Sequence, residues 1–170
     1  MKISRRWLTL TPTVLALACA MTAVHADAPR VRVDWTSPAD FSDVRQSMCR
    51  TSTKPEEWLI GLATYVQRRA ENVIGADQHL EITFTDVMRA GVCEPWRGPR
   101  WDDVRIVKDI YPPSIDLRYM LTNADGTTVR KGEAKLRDLG FLGHDAPNSN
   151  EPLRYEKRML NAWLRLEFPG

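Results

Sequence analysis

Apolar and polar residues alternate over Val31-Arg32-Val33-Asp34-Trp35, the period-two pattern of a half-buried strand. Residues 36–52 are rich in Ser, Thr, Asp and Pro and read as a loop. Thr53-Lys54-Pro55-Glu56 has the capping-box form, and Pro55 is tolerated where first-turn amides have no helical partner. Trp58, Leu59, Leu62, Tyr65, Val66, Arg69 and Val73 then follow helical spacing, and Gly75 supplies a stop. Leu80, Ile82 and Phe84 alternate with Glu81, Thr83 and Thr85 in a second strand, which puts Asp86 on the apolar face unless the strand has ended. Residues 94–101 form a loop punctuated by Pro and Gly, and Val104 to Ile110 reads as a strand stopped by Pro112-Pro113. Ile115, Leu117, Tyr119 and Leu121 make an alternating strand. Asn123-Ala124-Asp125-Gly126 is a turn, and Thr128 to Leu136 is the hairpin partner. After a polar loop over 140–151, a helix runs from about Glu151 to Phe168, with Leu153, Met159, Leu160, Trp163 and Leu164 as its stripe.

This order predicts an α+β fold. It is a four- or five-stranded mixed sheet, mostly antiparallel after an initial strand-helix-strand unit, with two main helices packed on one face. If the first two strands are parallel, Cys49 and Cys93 both fall near the edge at which those strands end.

The first residues change the meaning of composition. Lys2, Arg5 and Arg6 precede the apolar stretch Trp7 to Ala18, and Val24-His25-Ala26 offers small residues for cleavage. Residues 1–26 therefore read as a signal peptide, followed by one globular domain over 27–170. Ala16-Leu17-Ala18-Cys19 also resembles a lipoprotein box, which would lipidate Cys19, and Ser4-Arg5-Arg6-Trp7-Leu8 resembles a twin-arginine signal. The whole chain of 170 residues carries a net charge of +2. Without Lys2, Arg5 and Arg6, its 24 basic residues become 21 against 22 acids, a net of −1. A near-neutral domain argues against a nucleic-acid binder, and no later stretch approaches a membrane span. The expected location is periplasmic or secreted.

Only Cys49 and Cys93 follow the signal, and in an oxidising compartment one disulfide is their simplest use, with two separate thiols as the alternative. No metal spacing occurs, His79 and His144 read as polar strand-opening and loop residues, and no cofactor motif is present. Two readings stay open for Trp96, Arg97, Arg100 and Trp101. The tryptophans either fold inward over the end of the core or form a binding loop in which aromatics beside arginine contact sugars or peptide groups. Asp86, Asp102, Asp103, Asp109 and Asp138 are candidate acids for carboxylate-pair hydrolysis, or simply caps, turns and ion pairs. The alternating charges of 103–109 suggest a solvated strand face, and Arg154-Tyr155-Glu156-Lys157-Arg158 suggests a charged outer helix face.

Several stretches resemble a bacterial family. They are Val33-Asp34-Trp35 with Pro38 and Phe41, Thr85-Asp86-Val87 with Ala90-Gly91, Asp103 to Asp109 running into Tyr111-Pro112-Pro113, Asp125-Gly126, Gly132-Glu133, and Leu136-Arg137-Asp138. The most distinctive is Leu153 to Leu160 with Trp163 and Phe168. Together they are similar to secreted domain-of-unknown-function family 3016 across nearly all of residues 30–168. The resemblance implies an exported single-domain protein and brings no activity or catalytic residue. The cysteine pair is not part of the family's pattern, so the disulfide reads as a local addition. The resulting expectation is an envelope protein that binds another envelope protein or a cell-wall component without catalysis. The alternative is a small envelope hydrolase using paired carboxylates.

Overall fold

The computed structural model describes residues 29–50, 54–144 and 151–169. The expected signal segment, Cys19 and Thr53 lie outside the described residues. In chain order the elements are β1 (Val31–Trp35), α1 (Ser42–Gln46), α2 (Pro55–Ala70), β2 (Gln78–Met88), β3 (Val92–Cys93), β4 (Arg105–Ile106), β5 (Ser114–Asn123), β6 (Thr128–Arg137) and α3 (Arg154–Glu167).

The main sheet has the order β1-β2-β5-β6, with β1 parallel to β2 and the other pairs antiparallel. Helix α2 packs against β1, α3 packs against β6, and the two helices touch each other. The fold is thus the expected α+β arrangement, a four-stranded mixed sheet with its two main helices on one face. The core joins Leu59, Leu62 and Val66 of α2 to Leu80, Ile82 and Phe84 of β2, Leu117 and Leu121 of β5, and Leu160, Trp163 and Leu164 of α3. Trp163 meets Tyr119 and Phe168 edge-to-face at centroid separations of 5.5 and 5.7 Å, the favourable geometry for aromatic quadrupoles.

Four local expectations need correction. Helix α2 ends at Ala70, and Gly75 instead lies in the turn beyond, its carbonyl accepting from Arg30 Nη1 at 3.0 Å. The cap position of α2 is Lys54, with no side-chain cap bond. The stretch 36–52 is not all loop, because Ser42–Gln46 is helical. The expected strand over 104–110 shrinks to two residues, Arg105–Ile106, paired with β3 in a separate two-stranded sheet.

Strand β2 also runs longer than its alternating run. A bulge between Phe84 and Asp86 inserts Thr85 opposite no partner on β5. Because side chains alternate with period two, one extra residue reverses the faces. The buried series Leu80, Ile82, Phe84 therefore resumes at Val87, and Asp86 leaves the core face. There its carboxylate accepts from Ser42 N–H at 2.6 Å and Ser42 Oγ at 2.7 Å. Phe41, the residue in the N-cap position of α1, brings no acceptor of its own, so Asp86 caps the helix from a neighbouring strand.

Candidate functional site

The ladder between β2 and β5 ends at the pair Met88 and Ser114, since Pro112 and Pro113 have no N–H to continue it. Two carboxylates take over beyond that point. Asp43 of α1 accepts from Arg89 N–H at 3.0 Å, and Glu156 of α3 accepts from Ala90 N–H at 2.7 Å. Both acids are almost completely buried. Asp43 is also shared by two guanidiniums, with Arg89 Nη2 at 2.8 Å and Arg105 Nη2 at 3.0 Å. Arg105 reaches further, donating through Nη1 to the carbonyl of Gly91 at 2.6 Å. Gly91 itself has φ +80°, and a Cβ there would lie 2.6 Å from the Ile106 carbonyl oxygen. Only glycine lets β3 and β4 approach so closely.

Burial shifts these groups in the expected directions. Desolvation pushes the Glu156 carboxyl up, opposed by the Ala90 amide and by Arg89, and it pulls the Arg105 guanidinium down against the attraction of Asp43. The Arg89 guanidinium stacks 4.7 Å from the ring centroid of Trp58. The indole Nε1 of Trp58 is buried without a hydrogen-bond partner among the described residues. These groups underlie a cleft of about 530 Å³, walled by the first half of α2, the start of α3, Arg105 and Val107. That volume lies in the range of small-molecule sites.

A second feature adjoins the disulfide. Cys49 and Cys93 are bonded, with Cα atoms 4.9 Å apart, and Cys93 N–H donates to Ser47 O at 2.8 Å. The expected pairing is present in the structure. The next residue, Glu94, is buried and holds the loop after it. Its carboxylate accepts from Arg97 Nε, from Lys108 Nζ and from Tyr111 OH. The Lys108 bond foremost, then Arg97 and Tyr111, hold the Glu94 carboxyl below the usual carboxylate range, against its desolvation. Desolvation first, and then Glu94, push the Tyr111 hydroxyl up.

From this base two 3-10 turns, Pro95–Arg97 and Pro99–Trp101, meet at Gly98, whose φ of +110° favours glycine. The loop carries the four residues singled out from sequence. Trp96 is 63 % exposed, Trp101 is 37 % exposed, Arg97 lies 5.6 Å over the Trp101 ring, and Arg100 is exposed. Neither tryptophan folds inward over the core.

The candidate acids are dispersed. Asp86 caps α1, Asp102 pairs with Arg50 at 2.9 Å, Asp138 pairs with Arg158 at 3.0 Å, and Asp109 accepts from the Ile110 amide. None of these, nor Asp103, lines the large cleft. His79 is half-buried on β2, and His144 closes the 3-10 turn Phe141–His144. Among the described residues, no group of three or more His, Cys, Asp or Glu is placed to hold a metal ion.

Two charged segments are misread by pattern alone. Residues 103–109 do not form a solvated strand face, because Arg105 reaches buried Asp43 and Lys108 reaches buried Glu94. The run 154–158 is not an outer face, because Tyr155 and Glu156 are buried. Sequence reasoning missed Asp43, Arg89, Glu94, Arg105 and Glu156. One signal was present: Glu156 sits three and four residues before Met159 and Leu160, on the helix's apolar stripe.

The family described as "Protein of unknown function (DUF3016)" matches residues 29–166. The chain belongs to the DUF3016 family. The match spans the sheet, α2, all of α3 but its last residue, the cleft and the tryptophan loop of this DUF3016 chain. No curated protein matches it. Among the described residues, no helix is long and apolar enough to cross a membrane.

Proposed function

We propose that this DUF3016 protein is an exported, non-enzymatic binding module of the bacterial envelope. Cleavage after Ala26 would leave the single domain of residues 27–170, and its loop Trp96, Arg97, Arg100 and Trp101 meets an envelope protein or a cell-wall component. One observation carries the reading: a largely exposed tryptophan stands on a loop whose base is fixed by a disulfide and by a buried, triply bonded carboxylate. Exposing an indole to water forgoes its burial, and fixing it in advance reduces the ordering cost of binding. Arg97 over Trp101, with Arg100 beside it, adds the aromatic and guanidinium pairing common at binding hot spots. The oxidising compartment is supported by the disulfide and by the basic, then apolar, first residues. Hydrolysis by paired carboxylates has no comparable support, since the aspartates that suggested it are engaged elsewhere.

The test is co-sedimentation with purified peptidoglycan and capture from envelope extracts, comparing the parent with a W96A/W101A variant. Loss of a hot-spot aromatic costs about 2 kcal/mol or more, so binding should weaken at least about 30-fold while thermal stability changes little. Identical binding by both proteins would remove the loop from the function.

A further inference from the structure

We propose that the cleft between α2 and α3 is a binding site for a small amphipathic anion, a carboxylate or phosphate group on an apolar body, with the anion set against Arg89 and Arg105 and the body along Trp58, Pro152 and Leu153. The inference does not rest on the tryptophan loop. It rests on how the guanidiniums at the cleft floor are paired. Two guanidiniums, only 14 % and 20 % exposed, share the single carboxylate of Asp43. Taking two cations out of water against one contacting carboxylate is costly, and an anion from solution offsets that cost. The fourth floor group, Glu156, spends one carboxyl oxygen on the Ala90 amide, and the ion pairs of Arg89 and Arg105 are with Asp43 instead.

Donor geometry agrees. Arg89 engages Asp43 through Nε and Nη2, and Arg105 engages its partners through Nη1 and Nη2. Arg89 Nη1 and Arg105 Nε are therefore donors not committed to a described partner. Both arginines line the cleft, and guanidinium N–H groups are the donors that a carboxylate or phosphate accepts from. The start of α3 adds to the same potential: its cap residue Leu153, with φ 61°, contributes no side-chain acceptor, and the helix's first turn borders the cleft. At the rim Lys157 is paired to Glu151 at 2.6 Å, so that cation already has its counter-charge. The walls are mainly apolar, which is why an anion with an apolar body fits better than inorganic phosphate alone.

The experiment titrates the folded mature domain with decanoate and decyl phosphate below their micelle-forming concentrations, with decanol and decyltrimethylammonium as controls. Melting temperature and amide NMR shifts are the readouts. Both anions should raise the melting temperature, with shifts centred on residues 57–61, 89–90 and 153–157. Decanol should bind at least about tenfold more weakly, and the cation should not bind. Because R105M removes a partner of Asp43 and threatens the fold, the deciding variant is V107E, placed on an exposed wall residue. It should weaken both anions at least about tenfold, while V107A stays within about threefold of the parent. Added salt should weaken the anions. Equal affinity for decanol and decanoate, undiminished anion binding by V107E, or no binding by either anion would each overturn the proposal.

Discussion

Cutting the Cys49–Cys93 bond should cost this domain up to about 4 kcal/mol. The bond closes a loop with a sequence separation of 44 residues. On the chain-entropy account, a loop of that size removes about 13 cal/mol/K from the unfolded ensemble, or about 4 kcal/mol at about 298 K. The closed segment contains α2 and β2, which together supply much of the core, so the restrained part of the unfolded chain is the part that must reassemble it. The assay is urea unfolding followed by far-ultraviolet circular dichroism on the oxidised protein, the reduced protein and a C49A/C93A variant. The midpoint should fall for both altered forms. The slope of stability against urea should also steepen, because an uncrosslinked unfolded chain exposes more surface. A loss below about 1 kcal/mol in both forms would refute the entropic reasoning. So would a lower midpoint with an unchanged slope, which would place the effect in the native state instead.

Two further outcomes follow from the buried charges and the aromatic cluster. D43N should destabilise the domain by about 3 kcal/mol in chemical denaturation, since it leaves Arg89 and Arg105 desolvated without their shared counter-charge; a loss under about 1 kcal/mol would show that the cleft already solvates them. The Tyr119 hydroxyl, half-buried and donating to Glu167, is pushed up from 10.0 to about 12, by desolvation first and then by Glu167. Its folded value lies above its unfolded one, so its contribution is complete below pH 10 and is lost as pH rises towards about 12. Urea midpoints across that window should fall more steeply for the parent than for Y119F, and parallel curves would contradict the shift.

Much of the scaffold was legible because it is locally encoded. The alternation in β1, β2 and β5, the helical stripe of α2, the turn at Asn123 to Gly126 and the stripe of α3 each depend on residues within a few positions of one another. The pattern stopped at Phe84 because the Thr85 bulge breaks period two, and a bulge depends on the partner strand's register rather than on β2 alone. The expected strand over 104–110 failed for a related reason. Its alternating charges satisfy a strand template, yet its two bases leave for carboxylates elsewhere, Asp43 and Glu94.

By itself, the amino-acid sequence determined the α+β class, the order of the long elements, the position of the hairpin and the pairing expected of two cysteines. It also named the loop Trp96 to Trp101 without deciding which way its tryptophans point. Only the tertiary structure decided that they stand outward, because the decision lies with Glu94 and with partners at Lys108 and Tyr111, well down the chain. The cleft and its charged floor were likewise invisible. Arg89 meets Asp43 across 46 positions and Ala90 meets Glu156 across 66, and no periodicity reports such contacts. Hydrophobic patterning is a property of neighbours along the chain. The burial of a charge depends on which distant group arrives to compensate it, and that is settled only when the chain has folded.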